Sequence, residues 1–366
     1  MVLSEIIIQK IREEGPISFR DFMDITLYYP ALGYYTSNAE KIGISGDYYT
    51  TPHYTRLFGE MVAKQLEEMW HLLDKKPFTI VEYGAGTGVL CRDILNYLQN
   101  NKDLYEHLTY CIIEKSEVMR QKEKMILQDK VYWYDAIEEI PEVCGCVLSN
   151  ELVDNFPVHQ VIMEDELMEV FVDYLDGFIE VLKPASTALK NYLEELNVKL
   201  PKGFRTEINL QATEWITTVA NALQKGFVLT IDYGYSSAEF YQPKRSQGSI
   251  VCYYKHEIND KVYSNIGKQD ITAHVNFSAL NQWGTKNGLT CTGFTNQANF
   301  LRTLGLVHYL RAMEESRDYN AAEKQKNLQF VSTLMLDMGS KFKILVQHKG
   351  LQRPLLSGLQ LAYKFV

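Results

Sequence analysis

The stretch Thr79 to Asp93, TIVEYGAGTGVLCRD, constrains the fold of this chain more than any other. Thr79, Ile80 and Val81 form a β-branched run suited to a central strand, and Glu82 stands at its carboxyl end. Gly84, Gly86 and Gly88 follow at alternate positions, before a stretch that opens a helix. Glycine accepts positive φ and lets another molecule come close to the backbone, so three of them between a strand and a helix point to a ligand lying on the turn. A dinucleotide fingerprint, G-x-G-x-x-G, would need its third glycine at Val89. No Lys-Ser/Thr pair follows either, so the phosphate-cradling loop of nucleotidases is absent. What remains is acid-x-G-x-G-x-G at the first β-to-α turn of an open α/β sheet.

The 366 residues suffice for one large domain with insertions or for two domains. A net charge of −9 argues against general attraction to nucleic acid or to an anionic membrane surface. Six cysteines, Cys91, Cys111, Cys144, Cys146, Cys252 and Cys291, are scattered without a C-x-x-C pair, so metal-ligand spacing is missing and reduced thiols are expected. The amino-terminal MVLSEIIIQKIREEG has the helical period of an amphipathic helix and not the character of a secretion signal or a transit peptide, and a cytoplasmic location is expected. No run of about 18 apolar residues occurs, so no membrane-spanning helix is expected.

Residues 16–70 begin with an aromatic-rich stretch containing Phe19, Phe22, Tyr28, Tyr29, Tyr34 and Tyr35, followed by a helix from about Thr55 to Leu73. Asp47, Thr50 and Thr51 precede that helix, where they either cap it or contact a polar ligand. A second strand ends at Glu114, the position from which an acid accepts hydrogen bonds from ribose hydroxyls in doubly wound sheets. After a helix and a short strand, Trp133 or Asp135 is placed to border an adenine. CGCVLSNELVDNFPVHQV reads as an apolar strand ending in Asn150, Glu151 and Asp154, polar groups at a carboxyl strand end and hence candidates for substrate contact. Alternation from Val158 to Pro184, with turns at Glu164 to Glu166 and at Asp176-Gly177, indicates a β insertion. Helices follow at about Ser186 to Leu196 and Asn209 to Leu223, then a strand ending in the acid Asp232 and a long loop-rich passage. A helix from Phe277 to Lys286, two further helices between Ala298 and Met338, and the strand KFKILVQHK complete the chain.

Several of these segments, taken together, resemble the MidA-type methyltransferases, whose mitochondrial members assist assembly of respiratory complex I. The matching pieces are FMDITLYYPALGYYTS, GDYYTTPHYTRLFGE, EYGAGTG, SNELVDNFPVHQV, IDYG, GSIVCYYKH, DITAHVNFSAL and MGSKFKILV, spanning roughly residues 16–348. The resemblance implies a doubly wound, seven-stranded, class I methyltransferase sheet of Rossmann-like α/β type, with an amino-terminal aromatic and helical extension and β-rich and helical insertions. The expected divisions are 1–75 for the extension, 76–157 with 226–348 for the core, 158–225 for the insertion and 349–366 for a tail. It implies S-adenosyl-L-methionine (SAM) as cofactor, held by Glu82, Gly84, Ala85, Gly86, Gly88, Glu114 and Asp135, with Asp47, Thr50 and Thr51 closing over it. The Asn-Glu motif after the fourth strand falls on Asn150 and Glu151, followed by Asp154, and these three are the catalytic candidates.

In the mitochondrial branch the substrate is an arginine of a complex I subunit and the product symmetric dimethylarginine, so a protein partner is expected here. Two departures touch that expectation. His53 stands where an acid is common, and Val251 where an arginine is. Two other functions remain open: an assembly module that binds a partner without turnover, and a methyltransferase acting on a small molecule or a different side chain.

Overall fold

The computed structural model describes residues 2–37, 41, 52, 55–127, 130–315 and 320–363. They divide into two compact units, one of Met1–Tyr48, Val153–Trp215 and Tyr235–Gln282, the other of Tyr49–Leu152, Ile216–Gly234 and Trp283–Val366.

The second unit is built on a mixed sheet. Its strands are β1 (Phe78–Tyr83), β2 (Leu108–Ile113), β3 (Val131–Tyr134), β4 (Val143–Asn150), β5 (Leu223–Tyr235), β6 (Thr290–Asn296) and β7 (Phe342–Lys349). They lie in the order β6-β7-β5-β4-β1-β2-β3. Strands β1 to β5 pair in parallel, whereas β7 runs antiparallel to both of its neighbours. The order reverses between β1 and β4, which makes their carboxyl ends the topological switch point where open α/β sheets bind ligands.

Sequence explains this layering. Strand β4, VCGCVLSN, is apolar along most of its length because helices cover both faces of a parallel sheet. One face, with Ile80, Cys146, Leu148, Leu229, Ile231 and Ile344, packs against α1 (Arg56–Leu72) and α2 (Val89–Leu98). Fully buried Phe58, Leu66 and Trp70 come from α1, and truncating such an aromatic to alanine costs about 3–5 kcal/mol. Of the expected extension 1–75, α1 therefore belongs to the second unit.

The first unit holds an antiparallel sheet of Ile17–Ser18, His159–Met163, Leu167–Tyr174, Phe178–Pro184 and Arg205–Ile208. The expected turns close as hairpins, with the amide of Glu164 donating to the carbonyl of Glu166 (3.0 Å) and that of Leu175 to Gly177 (2.9 Å). Helices Leu3–Glu14 and Phe19–Tyr28 pack Leu3, Ile7, Ile11, Phe19 and Phe22 into its core. Ser18 caps the second helix through its hydroxyl, which accepts from the amide of Asp21 at 3.1 Å.

Several elements depart from the sequence expectation, among them the helix Lys102–His107 and the strand Arg205–Ile208, for which none was expected. Thr290–Asn296 is a strand, hidden in sequence by Gly293 and by a register shift between Cys291 and Gly293. Three helices rather than two, Gln297–Thr303, Leu306–Glu315 and Ala321–Ser332, precede β7, because Gly305 interrupts one apparent period. The long passage after β5 contains a small sheet of Val251–Tyr254, Glu257–Asn259 and Asp270–Thr272. Among the described residues no helix is long and apolar enough to cross a membrane.

Candidate active site

At the carboxyl end of β1 the chain turns through Gly84, Gly86 and Gly88 with φ of 65°, 60° and 77°. All three lie in the left-handed region that only glycine enters without strain, and Gly88 is the N-cap residue of α2. The amide of Gly84 donates to the carbonyl of Ile113 (2.9 Å) and that of Gly88 to Ala85 (2.9 Å), which pins the turn between β1 and β2. A Cβ built on Gly84 would stand 2.8 Å from Leu152 Cδ1, so the corner has no room for a side chain there.

Glu82 is 2% exposed, and its Oε2 accepts from the Tyr110 hydroxyl at 2.7 Å. Its side chain is thus directed into the protein. Burial, offset in part by that hydrogen bond, lifts its carboxyl to about 7, with the charge of Glu114 adding to the rise. Glu114 follows β2 directly and is half-buried, and its Oε1 accepts from the amide of Ser116 at 2.7 Å. Burial raises its carboxyl as well.

Helix α3 (Glu117–Ile126) brings Arg120 to this edge, where its guanidinium donates to the carbonyls of Glu114 (2.6 Å) and Tyr134 (2.9 Å) and to the Asp135 carboxylate. Asp135 itself is largely exposed. Arg120 and Tyr110 carry no sequence motif, and only the folded positions of β2 and β3 single them out.

Strand β4 ends in Asn150, whose Nδ2 donates to Glu151 Oε1 at 3.2 Å. Asn150 Oδ1 is buried and has no hydrogen-bond partner among the described residues. Glu151 has φ of 52°, an uncommon conformation for a residue with a side chain, and its amide donates to the carbonyl of Ile231 at 3.0 Å. Asp232, fully buried on β5, accepts from the amides of Leu152 (3.2 Å) and Tyr233 (2.8 Å). The Asn-Glu turn is therefore held on β5 by a backbone bond and by a carboxylate, and Leu152 rests it on Gly84.

Asp154 belongs to the first unit and is 1% exposed, and its carbonyl accepts from the amide of Ala273 at 2.9 Å. In the same unit the Tyr28 hydroxyl donates to the carbonyl of Asn155 (3.0 Å), and that of Tyr35 to Asp270 Oδ1 (2.8 Å). Three segments distant in sequence, FMDITLYYPALGYYTS, VDNFPV and DITAHVNF, thus meet in one polar and aromatic cluster. Asp47, Thr50, Thr51 and His53 lie outside the described residues.

The strand order, the glycine turn at the switch point and the acid after β2 are the features of an α/β fold that binds a nucleoside, and the polar groups of the Asn-Glu turn stand at the ends of β4 and β5. A sequence family described as "Putative S-adenosyl-L-methionine-dependent methyltransferase" matches residues 61–295. The chain is 29% identical to "Protein arginine methyltransferase NDUFAF7 homolog, mitochondrial" of Caenorhabditis elegans, over 93% of this chain and 85% of that protein. It is 27% identical to the human "Protein arginine methyltransferase NDUFAF7, mitochondrial", over 94% and 83% respectively. Among solved structures, a COG1565 superfamily member from Burkholderia thailandensis bound to S-adenosyl-homocysteine matches with a TM-score of 0.89 and 28% identity, over 98% of this chain and 95% of that one. This chain belongs to the S-adenosyl-L-methionine-dependent methyltransferase family that its residues 61–295 match.

The expected α/β methyltransferase fold and its cofactor are borne out. The residues present fit that cofactor: three glycines of positive φ at the switch point, which let a ligand approach the backbone, and a half-buried acid, Glu114, directly after the next strand, the position from which ribose hydroxyls are bound in such sheets. Bound there, SAM supplies a methyl group on a sulfonium that is already a good leaving group.

Proposed function

We propose that the chain transfers methyl groups to arginine side chains of a protein, giving symmetric dimethylarginine, and that the protein is a respiratory complex I type subunit. The relatives named above, which are called protein arginine methyltransferases, support the arginine acceptor. The observation that carries the chemistry is the Asn150-Glu151 turn, fixed on β5 and resting on the glycine corner.

In this reading Gly84, Gly86, Gly88 and Glu114 would hold SAM, which would supply the methyl group, while the chain's own residues hold the accepting guanidinium nitrogen in line with it and pass the proton that this nitrogen loses to the Glu151 carboxylate and on to solvent. Guanidinium stays protonated in water, so the protein must localise a lone pair on one nitrogen and hold the planar fork. A carboxylate does this through paired charge-assisted hydrogen bonds, which is the role assigned to Glu151. Asn150 orients the Glu151 carboxylate through its amide nitrogen. Asp232 holds the turn through the amide of Leu152. Asp154 is assigned to substrate contact in the same proposal. Orientation of this kind supplies several kcal/mol, up to roughly 7–11 in the best intramolecular models.

Labelled SAM incubated with the protein and a cell extract, followed by mass spectrometry of the labelled residue, tests the reading. Methylarginine in a protein fraction supports it, and label confined to small molecules or to another side chain overturns it. A cytoplasmic location is proposed alongside, and fractionation of the native host with an antibody to this chain decides between it and the mitochondrial location in the relatives' names.

A further inference from the structure

Three carboxyl groups converge behind the glycine corner within the second unit. Glu82 comes from the end of β1, Glu114 from the residue after β2 and Glu123 from α3, and Glu82 and Glu123 are 2% and 0% exposed. Neutral donors hydrogen-bond them: the Tyr110 hydroxyl to Glu82 (2.7 Å), the Ser116 amide to Glu114 (2.7 Å) and the Trp133 indole Nε1 to Glu123 Oε2 (2.7 Å). The guanidinium of Arg120 is directed instead to the carbonyls of Glu114 and Tyr134 and to the Asp135 carboxylate. Glu123 Oε1 is buried with no hydrogen-bond partner among the described residues.

Like charges gathered in a dry site cannot all ionise, because each carboxylate loses its hydration and repels the next. An acid whose second oxygen finds no donor is the one best suited to carry the proton. We propose that Glu123 is a specificity-determining residue of the cofactor site: it holds a proton in the empty protein and releases it when the sulfonium cofactor binds, so that the corner favours the cationic donor over its neutral product. SAM and S-adenosyl-homocysteine carry the same ammonium and carboxylate and differ only by the S-methyl group and the sulfonium charge it confers, which makes the product the internal control.

The groups facing Glu123 are consistent with this. Glu82 stands on β1, Cys91 on α2, Tyr110 and Glu114 on or after β2, and Trp133 on β3, with Arg120 and Lys124 on its own helix. Burial, together with the charges of Glu114 and Glu82 and against the Trp133 hydrogen bond and the charge of Arg120, lifts the Glu123 carboxyl to about 8. Cys91 and Tyr110 are pushed well above their ordinary values by burial and stay neutral. A positive charge brought to the corner stabilises the ionised form and so expels the proton.

Isothermal titration of the full chain with SAM and with S-adenosyl-homocysteine, in buffers of different ionisation enthalpy, counts the protons released. At about pH 7.5 the wild type should release at least ~0.3 more protons with SAM than with the product, and its preference for SAM should rise roughly three- to tenfold from about pH 6.5 to about pH 8.5. Glu123→Gln mimics the neutral acid and should remove the difference in proton count while still binding both ligands. Trp133→Phe removes the indole donor that favours the ionised carboxylate, and should move the preference to higher pH. Equal proton counts in the wild type, or an unchanged difference in Glu123→Gln, would overturn the proposal. Should Glu123→Gln fail to fold, an unshifted pH dependence in Trp133→Phe overturns it. Failure to bind either ligand would sink the cofactor assignment and this proposal together, whereas binding without the difference sinks this proposal alone.

Discussion

Leu152 sits directly against Gly84. A Cβ added at Gly84 would lie 2.8 Å from Leu152 Cδ1, and Leu152 is the residue after Glu151, so the turn proposed to orient the methyl acceptor is packed on the turn proposed to carry the methyl donor. Asp232 also ties the amide of Leu152 to β5 at 3.2 Å.

Gly84→Val follows from that contact. Valine would have to adopt φ near 65°, which is especially unfavourable for a β-branched side chain, and would displace Leu152. Binding of SAM by calorimetry is expected to be lost, and binding at wild-type affinity would remove the corner from the cofactor site.

Glu151→Gln keeps the shape of the turn but not its charge. We expect cofactor affinity within about twofold of wild type and kcat reduced roughly 10²-fold or more, the signature of an interaction made in the transition state. Glu151→Gly adds a second reading of the same residue. With φ of 52° the glutamate is strained, so glycine should raise stability by up to about 1 kcal/mol while turnover is lost. A melting temperature that falls instead would show that Glu151 is not held there at a cost.

Asp232→Asn retains one oxygen acceptor where the carboxylate offers two, to the amides of Leu152 and Tyr233. Stability should drop by about 1–3 kcal/mol, since a buried amide loses its partner. Denaturant unfolding monitored by far-UV circular dichroism measures this, and an unchanged midpoint would exclude the bracing role.

The glycine turn was legible in the sequence because its three positive φ values admit little else, and Gly84, Gly86 and Gly88 have that backbone. The main strands between residues 78 and 235 were legible for a similar reason, namely that apolar runs and alternation map directly onto covered and half-covered strands, whereas the helix Lys102–His107 and the strand Arg205–Ile208 were not. Side-chain direction was not. Glu82 precedes the turn in sequence yet its carboxyl lies against Tyr110, because both faces of a central strand are covered and spacing does not say which neighbour fills the gap. Glu123 gave no signal at all: on α3 it looked like one more charge of a polar helix until the fold buried it against Trp133. Asp154 adjoins the Asn-Glu motif in the chain, but its carbonyl bonds to Ala273 in the first unit, a pairing that no local pattern encodes.

Glu82 and Glu123 also set the response of stability to pH. Burial holds both above the ordinary carboxyl range, at about 7 and about 8, so the native state favours their neutral forms. Their contribution is complete below the unfolded value near 4.5 and is lost as pH rises through 7 and 8. The melting temperature should therefore fall between pH 6 and pH 9, and Glu123→Gln should flatten that fall by a few degrees, about 2–4 °C per kcal/mol. Parallel curves for the two proteins would contradict the assignment.

The most direct test of the central claim is a single labelling experiment on wild type and Glu151→Gln side by side. Methyl-labelled SAM is incubated with each protein and the same protein extract, and the labelled residue is located by mass spectrometry, with S-adenosyl-homocysteine affinity measured on both. The wild type should yield methylarginine and the variant almost none, at matched affinity for S-adenosyl-homocysteine. Equal labelling by both proteins, or label on a residue other than arginine, would contradict it.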